Sequence, residues 1–377
     1  MKILLIGEYS RLHNSLKEGL VALGHTVIIL GFKDGFKDFP VDFPLKTKWN
    51  AHFLRKFKYA LHRISGFNIN SYFTYQQFKK NQHQFVDFDV VQLINENSFY
   101  CGYYFEKKIL KYLFQNNKKI FLMCCGNDFS TVQFDLAHPE KKSILQPYRE
   151  GKIKKKHFEN VLKFTTSEYK RLHDFIYQNI TGIIASDIDY HIAMQHDPKY
   201  LGLIPNPVNT DKIQLQPLPS LDKITIFHGI NSDSYFKKGN DYFEKALEII
   251  RRKYPEKVEI ITTRSIPYAQ YIEIYNKSHI VLDMVYSYDQ GYNALEAMAK
   301  GKVVFTGAEA EFESYYQLTK KVCINARPDI DYLVTSLSFL IENPLEIKAI
   351  SQRARHFVES EHEYLAITKK YLNTWNQ

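Results

Sequence analysis

The chain has 377 residues, 45% of them hydrophobic, and a net charge of +9. That length exceeds one ordinary core, so two domains of about 150–200 residues each are expected. The four cysteines, Cys101, Cys124, Cys125 and Cys323, form no Cys-x-x-Cys pair and no Cys/His metal spacing, which excludes a disulfide scaffold or a zinc site and fits free thiols in a reducing cytosol.

In chain order, residues 3–6 are an apolar strand, followed by the loop Gly7-Glu8-Tyr9-Ser10. Leu16, Leu20 and Leu23 then repeat at helical spacing, Gly24 ends the helix, and 27–30 is the next strand. Residues 43–86 hold no acid but eight cations, and Trp49, Phe53, Phe57, Leu61 and Ile64 recur among them at nearly helical spacing. That pattern suits a helix on an anionic membrane surface, and equally an ordinary helix with a solvated cationic back. Strands at 90–94 and 119–123 flank a helix at 103–114, and 182–185 reads as the last strand of this domain.

Pro205-Asn206-Pro207-Val208-Asn209 cannot continue a helix or an inner strand and marks the linker. Beyond it strands are predicted at 224–227, 258–261, 280–285, 303–305 and 322–324, and helices at 239–253, 268–277, 292–300, 330–342 and 344–358. The strands are continuous apolar runs, as in a sheet covered on both faces. The prediction is an α/β chain of two Rossmann-like domains, 1–205 and 206–359, with a helix at about 360–377 free to pack back on the first. Ligands of such folds bind at the carboxyl ends of the strands, so the cleft is the expected site. No apolar run is long enough for a signal peptide or a membrane span, and a soluble, cytoplasmic protein is expected, with at most peripheral contact at the inner membrane.

The most informative stretch runs from Tyr288 through Gly291 and Glu296 to Val304. A loop with Gly291 leads into a helix whose free N–H groups and dipole suit a phosphate. Glu296, one turn in, can accept two hydrogen bonds from a ribose diol, or can be a solvated helix residue. Lys238 before Gly239 is a candidate cation or one of an exposed pair. Asp128 is either a reactive carboxylate or a helix cap, and Tyr268 a ligand contact or core. His13, Asn95 and Glu96 follow strands on the cleft side, as do Glu309 and Glu311.

Gly291, Glu296-Ala297-Met298-Ala299, Gly301 and Val303-Val304 resemble the Glu-x7-Glu signature of retaining GT-B glycosyltransferases of family 4. The resemblance implies that Glu296 binds the donor ribose and that the N–H groups of Tyr292, Asn293, Ala294 and Leu295 hold the sugar and β-phosphate. Tyr288 stands where the family has its first Glu, with Asp289 or Gln290 as substitutes. Lys238-Gly239 resembles the family's Lys-Gly pair, while the position of the accompanying Arg falls near Asn231 or Ser232. The base is expected along Arg264-Ser265-Ile266-Pro267-Tyr268. Cys125-Gly126-Asn127-Asp128 resembles His-Gly-x-Asp, and Gly7, Tyr9 and Ser10 approach the diphosphate.

The combination is similar to surface-polysaccharide glycosyltransferases of Bacteroidetes-type bacteria. It implies a catalytic set of Asp128, Lys238 and Glu296, with His13, Asn95 and Cys125 toward the acceptor. The implied partners are a UDP- or GDP-sugar and a glycan or lipid-linked acceptor. No Asp-x-Asp motif is expected to be present that would hold a divalent cation against the diphosphate, so neither metal nor cofactor is expected. A nucleotide-sugar 2-epimerase and a non-catalytic nucleotide-sugar-binding scaffold share the same features. No Gly-x-Gly-x-x-Gly follows either first strand and no nucleic-acid module is recognised.

Overall fold

The computed structural model describes residues 1–33, 37–48, 54, 56, 58 and 66–377. The basic amphipathic helix rests on Trp49, Phe53, Phe57, Leu61 and Ile64, which lie outside the described residues.

Strands β1 (Lys2–Ile6), β2 (Thr26–Gly31), β3 (Phe43–Pro44), β4 (Val90–Leu93), β5 (Lys119–Cys124), β6 (Gly182–Ala185) and β7 (Tyr200–Leu203) form one parallel sheet in the order β3-β2-β1-β4-β5-β6-β7. Strands β8 (Ile224–Ile230), β9 (Val258–Arg264), β10 (Ile280–Leu282), β11 (Val303–Thr306) and β12 (Ile324–Asn325) form a second, in the order β12-β11-β10-β8-β9. Helices cover both faces, which is why Ile3, Leu4, Leu5 and Ile6 are all fully buried rather than alternating. The strand order reverses between β1 and β4 and again between β8 and β10. The crevice at each reversal is where doubly wound sheets hold ligands.

The structure corrects some strand boundaries. β3 and β7 are additional, so 182–185 is not the last strand of its sheet. Both are edge strands: β3 has two residues, and β7 is half-exposed with Gly202 at φ 116°, so neither carries a clear apolar run. β10 stops at Leu282 and β12 begins only at Ile324.

Gly7 closes β1 at φ 87°, and a Cβ there would meet Ile94 Cγ2 at 2.4 Å. Only glycine satisfies both demands. The last helix, Tyr364–Asn376, returns to the first domain and packs on the helix Leu12–Ala22. The contact is close enough that a Cβ on Gly19 would meet Thr368 Oγ1 at 2.1 Å. Tyr371 and Trp375 are fully buried in the core formed by Ile3, Leu5, Ile29 and Phe121. Among the described residues, no helix is long and apolar enough to cross a membrane.

Candidate functional site

The second sheet positions the chemistry. β8 leads through a turn to Lys238, and Asp283 directly follows β10. Lys238 Nζ lies 2.7 Å from Asp283 Oδ1, where the carboxylate is 1% exposed and the lysine 31%. Asn293 Nδ2 donates to the same oxygen at 3.1 Å and Thr306 Oγ1 to the other at 3.3 Å. A buried carboxylate is tolerated only when paired and hydrogen-bonded, and these donors meet that condition. Lys238 is therefore held by its ammonium at the crevice rather than loose before a helix. Asp283 escapes a search for motifs; its signal is an acid that ends an apolar strand at the carboxyl edge of a parallel sheet.

Glu296 sits on the helix Tyr292–Ala299 and is nearly buried. The Tyr268 hydroxyl lies 3.0 and 2.9 Å from its two oxygens, and Lys300, one turn on, is 3.4 Å away. Burial and the adjacent carboxylate push the Tyr268 phenol well up, so it stays a donor. Glu296 is thus neither solvated nor a simple dipole partner. Leu295 N–H donates to the Gly291 carbonyl at 3.1 Å and is not available to a phosphate, which corrects the expected set. The start of the helix leaves Tyr292, Asn293 and Ala294 N–H without an intrahelical acceptor. Ala294 and Leu295 side chains are core.

A cavity of about 630 Å³ opens in this crevice, lined by Asn231, Lys238, Ile266, Tyr268 and Asn293 from the second domain and by Ser10 and Lys37 from the first. The first-domain wall is strained. Ser10 and Arg11 have φ of 51° and 76°, a left-handed pair without glycine just before the helix Leu12–Ala22. Lys37 Nζ is 3.3 Å from Ser10 Oγ and 5.9 Å from the Tyr268 ring centroid. Sequence reading did not find Lys37, because no local pattern marks it.

The other first-domain candidates are engaged within their own domain. Trp375 Nε1 donates to Gln92 Oε1 at 3.1 Å, and Gln92 Nε2 lies 3.4 Å from His13 Nε2. His13 Nδ1 in turn lies 2.7 Å from the Gly7 carbonyl. Burial lowers the His13 pKa to about 4, so the neutral ring fixes the Gly7 loop and, being fully buried, does not face an acceptor. Asn95 is buried and donates to the Tyr9 hydroxyl at 2.9 Å. Cys125 is partly buried beside the same core.

Asp128 is the N-cap of the helix Phe129–Ala137, with Oδ1 accepting from Thr131 N at 2.8 Å and Thr131 Oγ1 at 2.7 Å. Burial and the nearby Glu96 raise its pKa to about 6. At 1% exposure it has the cap role and not the expected open carboxylate. Glu96 is fixed by Phe129 N at 3.0 Å and by His173 at 2.5 Å.

At the other end of the crevice the domains are fastened together. The Tyr288 hydroxyl accepts from Lys142 N at 3.0 Å, and Lys142 Nζ pairs with Glu309 at 2.6 Å. Glu311 lines a separate cavity with Glu309 and Tyr288. Gln290 is buried with Nε2 3.3 Å from His362 Nε2, outside the cleft cavity. The Tyr292 hydroxyl bonds Ser15 Oγ at 2.8 Å across the domains. The chain also does contain an Asp-x-Asp triplet, Asp187-Ile188-Asp189, whose carboxylates meet Asp289 of the second domain. The triplet does not line the cavity at Lys238.

Residues 235–373 match the family model described as glycosyl transferase-like. No curated protein matches the chain. Among solved structures, the chain is similar to sucrose-phosphate synthase from Thermosynechococcus elongatus, with TM-score 0.60 and 13% identity over 100% of this chain and 98% of that one. It is also similar to HepE of Anabaena in complex with UDP and glucose, with TM-score 0.59 and 12% identity over 100% and 99% of the two chains. A glycosyltransferase from Rickettsia africae gives TM-score 0.53 and 14% identity over 100% and 97%. With two parallel sheets facing across a ligand-sized crevice, the chain has the two-domain GT-B fold of these structures, and its residues 235–373 are glycosyl transferase-like.

Proposed function

We propose that the protein transfers a sugar from a nucleotide diphosphate to a glycan or lipid-linked acceptor, with retention and without a metal on the diphosphate, in the synthesis of a bacterial surface glycan. The observation that carries this reading is the two-domain cavity with Lys238, held by Asp283, beside the open start of the helix bearing Glu296.

In this reading the base lies along Ile266. The ribose diol replaces the Tyr268 hydroxyl on Glu296, exchanging one donor for two. The diphosphate meets Lys238 and the N–H groups of Tyr292, Asn293 and Ala294. Lys37 crosses from the first domain as the second cation, filling the place of the arginine missing near Asn231. As the bond from the anomeric carbon to the diphosphate breaks, negative charge grows on the phosphate oxygen, and fixed cations aimed at it lower the barrier. The acceptor hydroxyl attacks from the face the leaving group vacates, and its proton passes to the departing phosphate. Tyr288, bonded to Lys142 N, occupies the family's first-Glu position, so the sugar is recognised through backbone at Gly291 rather than through a carboxylate.

HepE, crystallised with UDP and glucose, makes UDP-glucose the first donor to test. The experiment is a thermal-shift panel of UDP, GDP, dTDP and CMP with their common sugars on the wild type and Glu296→Ala. A ligand at 100 times its Kd adds about 2.7 kcal/mol of stability. A shift with one nucleotide that disappears in the variant supports the reading; no shift with any nucleotide overturns it. The cations of residues 43–86 support contact with an anionic membrane surface, checked by flotation with phosphatidylglycerol vesicles.

A further inference from the structure

We propose that Asp187, Asp189 and Asp289 form a divalent-cation site that fastens the two domains to each other. The first two lie on the first domain, at the start of the helix Ile188–Met194, and the third lies on the loop before Tyr292. One oxygen from each carboxylate falls within 4.8 Å of the other two. An ion with oxygens at about 2.4 Å holds them within about 4.8 Å of one another, so the spacing suits an ion at their centre.

The partners of these carboxylates point the same way. Asp187 Oδ1 accepts from Tyr190 N at 3.2 Å, and Asp189 accepts from Ser287 Oγ at 2.6 Å and Tyr288 N at 3.2 Å. Asp289 Oδ2 accepts from Ile188 N at 3.0 Å. Asp289 Oδ1 is buried, on a residue 1% exposed, and meets no N–H or O–H donor among the described residues, while the Asp289 carboxyl lies against that of Asp189. An orphaned carboxylate oxygen in the interior is strongly unfavourable unless a cation or a proton meets it. The charge of Lys142 acts on Asp189, but its ammonium is bonded to Glu309 at 2.6 Å and the Ala326 carbonyl at 3.2 Å.

A cavity of about 150 Å³ borders Asp187 and Asp189, with Asn127, Thr131 and Ser143 on its wall. It has room for the waters that complete a coordination shell. An all-oxygen set of this kind selects a hard ion, magnesium or calcium. The cavity shares no lining residue with the one at Lys238, though it reaches Tyr288 and Gly291 beside the proposed sugar position, so the ion's role is to join the domains there and not to hold the diphosphate.

Without a cation, burial pushes all three carboxyls above the usual range, and their mutual repulsion adds to this for Asp187 and Asp289. Protons are therefore the competing occupant, and the test separates the two. Chelator-stripped full-length protein, with no nucleotide present, is titrated with MgCl2, CaCl2 and MnCl2 by calorimetry and thermal shift.

One ion is expected to bind with unit stoichiometry and raise Tm. Asp289→Asn and Asp187→Asn are expected to weaken it at least tenfold; asparagine caps a helix as well as aspartate does, so the Asp187 variant keeps its fold. No heat and no shift with any of the three ions overturns the proposal, as does unchanged affinity in both variants. Greater stability of the stripped protein at pH 5.5 than at pH 7.5, with no response to metal, assigns the cluster to shared protons instead. None of these outcomes depends on nucleotide binding, so the site and the proposed function fail separately.

Discussion

The two sheets turn their reversal points toward the same crevice, yet they use polar residues in opposite ways. In the second domain, buried acids hold groups that remain presented to the cavity: Asp283 holds Lys238 and Asn293, and Tyr268 stands over Glu296. In the first domain the polar residues satisfy one another. Trp375, Gln92, His13 and Gly7 form one chain of contacts, and Asp128 and Thr131 close a helix cap. The first domain offers the cavity a shaped loop with Ser10 and Lys37, and the second offers the fixed charges. Polar residues near a crevice are therefore sorted by what they already bond, not by proximity.

The sharpest way to break this contrast is to attack the first domain as scaffold. Trp375→Ala is expected to cost about 3–5 kcal/mol of stability by leaving a cavity in the core, read by urea denaturation. A loss under 1 kcal/mol removes the claim that the terminal helix belongs to that core. Lys238→Ala should then lower kcat about 10²- to 10³-fold with the fold intact by circular dichroism; an activity within threefold of wild type places the cation elsewhere.

Acid should act through the same scaffold. His13 and His362 have pKa values lowered by burial to about 4, so each contributes about 3 kcal/mol at pH 7 relative to an unfolded histidine near 6.5. That stability is fully present above pH 6.5 and is lost as the pH falls toward 4. In His362→Gln the acid limb of a Tm–pH profile should be visibly shallower, and an identical limb excludes this source.

Smaller effects sharpen the boundary. Lys37→Ala should weaken nucleotide-diphosphate binding about tenfold, one charge-assisted bond at the exposed edge of a site. Asp128→Asn should change activity less than threefold, since asparagine caps as well; a loss of 10²-fold restores Asp128 to the chemistry.

The same contrast explains what the sequence discloses. The motif from Gly291 to Val304 is legible because one helix combines an open start, an acid one turn later and small residues beneath β11, all at fixed spacing. The sheets are legible because buried parallel strands are unbroken apolar runs. Asp283 and Lys37 are not, since each depends on a partner from another element: Lys238, 45 residues back in the chain, and Ser10, 27 residues back. The role of Asp128 is ambiguous in the sequence for the converse reason. Its local pattern suits a reactive acid and a cap equally, and only Thr131 and its 1% exposure decide. The edge strands β3 and β7 are short or half-exposed and so lack the buried run that betrays the others.

The return of the last helix has a mechanical consequence. The chain passes from first domain to second near Val208 and back again near His362, and the two passages are stitched side by side: Val208 N donates to the His362 carbonyl at 2.7 Å, and His362 Nδ1 lies 2.9 Å from the Asn206 carbonyl. A body tethered at one point can swivel about any axis. Two adjoining tethers that are bonded to each other act like the leaves of a door hinge, leaving one free rotation along their common line and resisting twist. Any opening of the crevice is then a swing about that edge, and it first has to break the Ser15–Tyr292 and Lys142–Glu309 contacts that bridge the domains.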